Sequence, residues 1–290
     1  MKISILIPTI AQEHQIADCL NSVVAQLKNR TDVELIILSG KYEFCISKLN
    51  NEQIRIFNHP NKSVLDLRAI GLHLAYGKYV AITEDHCMVN NNWISNIESF
   101  LDQNIKSNII GGNIYNGSQE STWDRANFWM TFNNFLATSK TKSFSPCIAN
   151  LAIRKNPIVS QHFDAGEFEE YLAQKSKIKK GDNIDNPVFH IQSHGTYKTV
   201  VKHFHNGKAC VGLIRNKFKG IKFLFKIVKI FILPFWLVFQ ITGNILLARK
   251  DNRLKLLPDT LVILILIISH TIGELAGLLF GAGESPYQLD

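Results

Sequence analysis

The sequence has few cysteines, and none of them form a closely spaced pair. Its five cysteines are Cys19, Cys45, Cys87, Cys147 and Cys210. Disulfide frameworks and zinc sites need ligands at short, patterned spacings, so this spacing predicts free thiols in a reducing compartment. A signal peptide is not indicated either, because the N-terminal apolar run Ile3–Ile7 is too short for one. We therefore expect the N-terminal part of the chain to stay in the cytosol.

Long apolar runs are missing from residues 1–215 but dominate the chain after about residue 223. The formal charge of +8 is equally uneven. Six basic residues precede the first apolar run: Arg215, Lys217, Lys219, Lys222, Lys226 and Lys229. A basic balance can indicate nucleic acid or anionic lipid as a partner. Basic residues next to an apolar segment favour anionic membrane lipids over nucleic acid, because headgroups lie where such a segment enters a bilayer.

The first 90 residues alternate between short apolar runs and amphipathic stretches. Apolar runs at 3–7, 33–38, 54–57 and 79–83 read as strands, and stretches between them have helical spacing. This alternation predicts an α/β fold with a mostly parallel sheet flanked by helices. Ligands bind such sheets beyond the carboxyl ends of the strands. Three of those ends, Pro8-Thr9, Ser39-Gly40 and Glu84-Asp85-His86, should therefore meet at one cleft.

Glu84, Asp85 and His86 follow a buried strand with no intervening turn signal. Residues i and i+2 project to the same side of an extended chain, so Glu84 and His86 can reach one ion. Carboxylate plus imidazole suits Mn²⁺ better than Mg²⁺, since Mn²⁺ accepts nitrogen ligands more readily. A divalent cation there would stabilise a diphosphate as a leaving group. The alternative is an ordinary polar loop at the end of a strand.

Several motifs in this order resemble glycosyltransferase family two, which has the GT-A fold. They are Ile3-Ser-Ile-Leu-Ile-Pro-Thr9, Leu67-Arg-Ala-Ile-Gly-Leu72, Gly77-Lys-Tyr-Val-Ala-Ile-Thr-Glu-Asp-His86, Ser145–Arg154, Pro187–His190 and His203–Lys208. The resemblance covers residues 1–215. Two departures stand out. The Asp-x-Asp motif of the family is Glu84-x-His86 here, and Ser39-Gly40 replaces an Asp that usually holds the nucleobase, which leaves the donor nucleotide open.

The resemblance implies an inverting transfer of a sugar from a nucleotide diphospho-sugar to a glycan or lipid-linked acceptor. It assigns donor binding to Pro8, Thr9, Ser39, Arg68, Glu84 and Asp85. It assigns the diphosphate to His190 and His203, for each of which a structural role is the alternative. It assigns acceptor contacts to Asn150 and Arg154. Arg68 could instead pair with Asp66 or Glu84.

The catalytic base is expected in the acidic segment Gly166–Leu172. An inverting transfer needs a carboxylate to accept the proton of the attacking hydroxyl. Glu169 and Glu170 lie nearest to the position of the family's base, and Glu167 is the third candidate. A solvated helix face is the alternative for each of them.

The C-terminal third predicts a helical hairpin. Ile230–Ala248 carries no charged residue, and Thr260–Gly283 is interrupted only by His270 and Glu274. Helices of this length approach the ~30 Å hydrocarbon thickness of a bilayer. We therefore expect two parts: residues 1–215 as the GT-A-like domain, and residues 216–290 as a basic linker and a membrane hairpin, spanning or re-entrant. Two buried helices of a soluble domain are the alternative.

Two other functions fit the same features. A degenerate transferase would only bind carbohydrate or a partner, and donor turnover would exclude that role. A nucleotidyltransferase would share the fold, but such enzymes open with a glycine-rich basic loop after the first strand. Pro8–Glu13 has neither glycine nor basic residues.

Overall fold

The computed structural model describes residues 1–44, 52–118, 121–133, 143–144, 147–155, 163, 167–175, 178–179, 183–191, 194–248 and 253–288. The chain forms two compact units. The first comprises residues 1–117 and 140–191, and the second comprises residues 118–139 and 192–290.

The first unit is built on a mixed sheet. Its strands, within the described residues, are β1 (Ile3–Thr9), β2 (Val33–Ser39), β3 (Ile54–Asn58), β4 (Tyr79–Ile82), β5 (Cys87–Val89), β6 (Ile109–Asn116), β8 (Leu151–Arg154) and β10 (Asn183–His190). Two short strands, β7 (Ser143–Phe144) and β9 (Ile178–Lys179), pair separately. The helices of this unit are α1 (Ala17–Val24), α2 (Val64–Leu74), α3 (Trp93–Gln103) and α5 (Glu167–Lys175).

The strand order of the sheet is β3-β2-β1-β4-β8-β6-β10-β5. Strands β1, β2, β3 and β4 run parallel, β8 runs antiparallel to both β4 and β6, and β10 is parallel to β6. Only β8 and β5 therefore oppose the common direction among the strands of this sheet. The predicted α/β architecture with a mostly parallel, helix-flanked sheet is confirmed.

Apolar burial explains why this sheet forms. Every residue of β1 and β2 is buried, which is typical of parallel strands covered on both faces. Helix α2 begins at Ser63, whose hydroxyl accepts from the amide of Asp66 while the Asp66 carboxylate accepts from the Ser63 amide. This reciprocal capping leaves Asp66 engaged at the helix start. Leu67 and Leu72 then face the core.

The second unit is helical. It contains α4 (Thr122–Phe132), α6 (Gly195–Gly212), α7 (Ile221–Ala248) and α8 (Arg253–Phe280). In this unit α8 packs along α6, and the Arg125 guanidinium of α4 forms a forked, buried ion pair with Asp259 of α8, at 2.7 Å. These contacts place residues 118–139 and 192–215 with the C-terminal helices. The boundary expected at residue 215 therefore differs from the structural division, because α4 and α6 pack on α8.

The predicted apolar C-terminal helices are confirmed. Two stretches are long and apolar enough to cross a membrane, Ile221–Asn244 and Pro258–Phe280. The first is 11% buried within the protein and the second 44% buried. The second helix therefore has a larger protein-covered face than the first.

Candidate active site

Three acidic or imidazole side chains meet where strand β4 ends. After Ile82 the chain turns, with the Cys87 amide donating to the Glu84 carbonyl, and then returns as β5. Strand β5 pairs antiparallel with β10, placing Cys87 opposite His190 in register. The Ile191 amide also donates to the His86 carbonyl at 2.9 Å. This pairing brings His190 to the turn that carries Glu84 and His86.

The side chains form a tight cluster, called the Glu84–His190 cluster and comprising Glu84, His86, Cys87 and His190. One ligand atom from each lies within 4.8 Å of the others. The two imidazole Nε2 atoms of His86 and His190 are 2.7 Å apart, with the rings nearly perpendicular. Glu84 Oε2 lies 3.4 Å from His86 Nε2 and 3.8 Å from His190 Nε2. A carboxylate and two imidazoles thus point at one small volume.

The donor set fits a divalent cation. Two like-charged imidazolium groups would repel one another at such a distance, whereas a cation shared between neutral rings gives both lone pairs a partner. A carboxylate with two imidazoles suits Mn²⁺, Zn²⁺ or another transition metal better than Mg²⁺, which prefers oxygen and water. Cys87 is fully buried, and burial raises the pKa of its thiol well above the ordinary value, as do the neighbouring carboxylates. The protonated thiol is a weak ligand, which leaves Glu84, His86 and His190 as the side chains of the cluster that could hold a cation.

Similarity to known proteins shows the family of this chain. The family model described as Glycosyl transferase family 2 matches residues 4–163, more than half of the chain. The chain belongs to this family. The predicted GT-A-like fold is in accord with it, and the expected family and enzyme class are confirmed. No curated protein sequence matches the chain.

Solved structures of glycosyltransferases are similar to this chain at low identity. S. aureus TarS 1–349 is 13% identical, with 77% of this chain and 66% of that chain covered, at a TM-score of 0.47. Its complex with UDP-GlcNAc is 14% identical, with 95% and 91% covered, at a TM-score of 0.47. GalNAc-T7 with UDP, GalNAc and Mn²⁺ is 13% identical, with 67% and 44% covered, at a TM-score of 0.45.

In this family 2 chain, the Asp85 carboxylate contacts Nδ1 of His86, the ring nitrogen on the side away from His190. Asp85 is 5% exposed, and its two oxygens lie 2.7 Å from His86 Nδ1 and 2.5 Å from the hydroxyl of Thr9. A carboxylate on one imidazole nitrogen fixes the tautomer and leaves the other nitrogen for a ligand. Asp85 and Thr9 were expected to bind the donor, but both side chains are buried and engaged with each other. Both therefore lie where they can hold His86 in place, and their expected contact with the donor stays a prediction.

The other residues expected at the donor lie at the same edge of the sheet. Pro8 and Ser39 are buried in the last turns of β1 and β2, and the Ser39 hydroxyl donates to the Tyr42 carbonyl. Arg68 pairs with Glu84, with Nη2 3.1 Å from Oε1, and its expected contact with the donor stays a prediction. Arg68 is 7% exposed on α2. The charge of Glu84 is therefore balanced from one side by a guanidinium.

Charge balance in the cluster shifts two pKa values. Burial alone would raise the pKa of the Glu84 carboxyl, but the hydrogen bond from His86 and the positive charges of His86, Arg68 and His190 outweigh burial and lower it. Burial alone would lower the pKa of His86, but hydrogen bonds to Asp85 and Glu84 and their charges raise it to about 9. Without a cation His86 therefore holds a proton at neutral pH, and a bound cation must displace that proton.

The three candidate bases lie on α5. Phe168 and Leu172 of this helix are buried in the same core as Leu67 and Leu72 of α2, so α5 is anchored to the helix that carries Arg68. Glu167 is exposed and Glu170 is partly buried. The side chain of Glu169 lies outside the part of the chain that the structure describes. The choice among the three stays a prediction.

Asn150, for which an acceptor contact was expected, lies in a buried hydrogen-bond network. It is 3% exposed, and its amide donates to the carbonyls of Asn113 and Asn186 at 3.0 and 2.7 Å. Its oxygen accepts from Trp93 Nε1 at 2.9 Å. Both amide hydrogens are committed, so Asn150 ties three elements together beneath the site. This network was missed, because each of its members is an ordinary polar residue in the sequence.

Arg154 lies at the opposite end of the strands from the cluster. It pairs in register with Tyr79, the first residue of β4, whereas Glu84 follows the end of that strand. Five residues of extended chain separate Tyr79 from Glu84, a distance of about 16 Å along the strand. Arg154 donates to the Tyr79 hydroxyl and to the Leu101 carbonyl. These are packing contacts within the first unit, and the expected acceptor contact of Arg154 stays a prediction.

His203 belongs to the second unit. It is 4% exposed on α6, and its Nε2 lies 2.9 Å from Asn127 Oδ1 on α4. Burial lowers the pKa of His203 to about 3, helped by the neighbouring charges of His270, Lys202 and His194. A neutral, buried imidazole does not supply charge to a diphosphate. Of the two histidines expected at the diphosphate, only His190 lies in the cluster.

Proposed function

We propose that this chain is an inverting glycosyltransferase that transfers a sugar from a nucleotide diphospho-sugar to a glycan or lipid-linked acceptor. The observation that carries the proposal is the meeting of Glu84, His86 and His190 at the carboxyl edge of the sheet in a family 2 chain. Strand ends at this edge are where parallel sheets bind ligands. The cluster therefore stands where the donor diphosphate would leave.

Each group has a task in that reaction. A divalent cation held by Glu84, His86 and His190 would neutralise the charge that develops on the departing diphosphate. Asp85 holds the proton on His86 Nδ1, so that Nε2 faces the cation. Arg68 keeps Glu84 ionised and in place. The acceptor hydroxyl attacks the anomeric carbon as the glycosidic oxygen leaves with the diphosphate, and a carboxylate of α5 takes the hydroxyl proton.

We propose Glu170 or Glu169 as this base, with Glu167 as the third candidate. Helix α5 is anchored in the core through Phe168 and Leu172. Beside that buried pair, Glu167 is exposed and Glu170 is partly buried. Packing against α2 fixes the backbone of α5 relative to the helix that carries Arg68, and a base needs such a fixed position.

Release of nucleotide from a panel of nucleotide sugars, with Mn²⁺ and with Mg²⁺, tests the activity. We expect nucleoside diphosphate release that needs a divalent cation, with Mn²⁺ supporting a higher rate than Mg²⁺. Release of pyrophosphate in a parallel assay with a nucleoside triphosphate and a sugar 1-phosphate would indicate the nucleotidyltransferase, and donor binding without turnover would indicate the binding protein. His86→Ala should abolish the cation-dependent rate, while His14→Ala, at an exposed histidine, should leave it unchanged.

We also propose that the second unit attaches the enzyme to a membrane from the cytosolic side. The support is the pair of apolar stretches Ile221–Asn244 and Pro258–Phe280, preceded by the exposed basic residues Arg215, Lys217 and Lys219. Apolar insertion is not screened by salt, whereas attraction to anionic headgroups is. Full-length protein should stay in the membrane pellet through a high-salt wash and leave it with detergent. Release by salt alone would contradict apolar attachment.

A further inference from the structure

Two helices of the second unit carry exposed apolar stripes. On α7 six side chains within one broad face are 58% to 79% exposed: Phe225, Phe231, Ile232, Phe235, Trp236 and Phe239. On α8 a narrower stripe is 40% to 57% exposed: Leu261, Leu264, Ile265, Ile268 and Ile272. Contiguous apolar faces of this size mark an interaction surface. The question is whether these helices cross a bilayer or lie along it.

The opposite face of α8 is covered by α6, which runs parallel to it. The Ser269 hydroxyl donates to the Val200 carbonyl at 2.7 Å. Further along, a Cβ at Gly273 would lie 2.1 Å from the Phe204 carbonyl, and one at Gly277 would lie 2.4 Å from the Lys208 carbonyl. Each step of four residues on one helix matches four on the other, so the two backbones touch over about two turns or more.

This contact fixes which part of α6 would accompany α8 into a bilayer. Ser269 is the middle residue of the stretch Pro258–Phe280, and it touches Val200. Lys198 and Lys202 flank Val200 on α6, and Gly195 begins that helix one turn earlier. If α8 crossed the membrane, those two lysines and the open amides of a helix N-terminus would lie near the bilayer centre.

That arrangement is strongly disfavoured. A lysine at the centre of a spanning helix opposes insertion by roughly 100-fold or more, and two lysines compound the effect. Unsatisfied backbone amides at that depth add to it. Helix α7 is held at the same depth as α8, because Lys226 Nζ lies 3.2 Å from Glu274 Oε1 of α8. The pair therefore cannot cross the bilayer without taking charged groups of α6 and α7 with it.

We propose that α7 and α8 lie in the plane of one leaflet, with their exposed apolar stripes immersed and no part of the hairpin crossing the bilayer. This deepens the membrane attachment proposed above and rests on it. Amphipathic helices with aromatic residues on one face and basic residues beside it bind membranes in this way. The exposed lysines Lys217, Lys219, Lys222 and Lys229 stand at the start of α7, which fits an anionic leaflet surface.

Depth measurement on full-length protein bound to vesicles tests this. Phe225 and Phe239 share a face of α7 and lie 14 residues apart, about 21 Å along the helix, a large part of the ~30 Å hydrocarbon core. Each is changed to Cys and spin-labelled, in a chain with Cys45→Ser and Cys210→Ser. Labels at Leu261 and Ile272 do the same for α8. Both pairs are exposed positions, so the substitutions remove no core contact.

With vesicles of phosphatidylcholine and phosphatidylglycerol, accessibility to dissolved oxygen and to an aqueous nickel chelate gives the depth of each label. We expect the two labels of each pair to reach the same shallow depth. A depth that changes by most of the helix distance between Phe225 and Phe239 would overturn the proposal and establish a spanning helix. Labels that become shielded without vesicles, with a dimeric mass, would also overturn it, since a second chain would then cover the stripes.

The contribution of the lysine charges to vesicle binding is tested separately. Changing Lys219, Lys222 and Lys229 to Gln should weaken binding to the anionic vesicles roughly 100-fold and leave binding to pure phosphatidylcholine nearly unchanged. If wild-type protein binds neither kind of vesicle, membrane attachment itself is wrong. If it binds and the two labels of a pair lie at different depths, membrane attachment is supported and the in-plane arrangement is wrong.

Discussion

Removing the imidazole of His190 tests whether it is a cation ligand or, as the sequence suggested, a diphosphate contact. His190 Nε2 lies 2.7 Å from His86 Nε2 and 3.8 Å from Glu84 Oε2. Loss of a group that merely supports a metal ligand costs about 10–100-fold in affinity. Loss of one of three ligands should cost at least the upper end of that range. His190→Ala should therefore weaken Mn²⁺ binding by about 100-fold or more, about 2.7 kcal/mol.

The affinity is measured without nucleotide, from the electron spin resonance signal of free Mn²⁺ during titration of the protein. His14→Ala is the matched control, because it removes an exposed imidazole outside the cluster. The double variant His86→Ala with His190→Ala should cost less than the sum of the two single changes, since residues in contact that serve one ion are coupled. Circular dichroism and thermal unfolding confirm that each variant is folded.

Two results would refute the assignment of His190 as a cation ligand. If His190→Ala binds Mn²⁺ as tightly as wild type and loses affinity only for the nucleotide sugar, His190 contacts the diphosphate as the sequence suggested. Additive effects of the two histidine changes would likewise show that they do not share one ion.

Three further outcomes are expected. Asn150→Ala removes three buried hydrogen bonds, to Trp93 Nε1 and to the carbonyls of Asn113 and Asn186, so urea unfolding should show a loss of about 3 kcal/mol; near-native stability would contradict the structural role. Glu170→Gln or Glu169→Gln should lower kcat about 100-fold with donor affinity nearly unchanged, because proton transfer occurs in the transition state; two active variants would move the base to Glu167. His203, with its pKa lowered to about 3, stays neutral when folded but binds a proton when unfolded below its ordinary value of about 6.5. Stability of the second unit should therefore fall as pH drops from about 6.5 towards 3, by up to about 5 kcal/mol, and His203→Gln should flatten that dependence in acid unfolding curves.

Local sequence patterns indicated part of the candidate site. The apolar run at 79–82 ends close to the polar triplet 84–86. This feature depends on neighbours within a few residues, which is why hydrophobic patterning indicates it. The departure of Glu84-x-His86 from two aspartates also indicated a nitrogen ligand.

The partner of His86 could not be identified in the same way. His190 is 104 residues further along the chain, and it reaches the cluster only because β5 folds back antiparallel on β10. A three-residue strand has too little periodicity to be recognised, and pairing register between distant strands is not written in local sequence. Asp85 and Thr9 show the same limit: their types suggest ligand contacts, while burial makes them support His86.

The sequence by itself determined the α/β class, the carboxyl edge that carries Glu84 and His86, and the presence of two apolar C-terminal helices, because each follows from residue types at short spacing. Only the tertiary structure decided that His190 completes the cluster, that Asn150 and Arg154 brace the sheet, and that α8 packs on the lysine-bearing helix α6. The reason is physical. Contacts between distant segments depend on strand register and on close backbone approach at Gly273 and Gly277, which are settled when the whole chain packs.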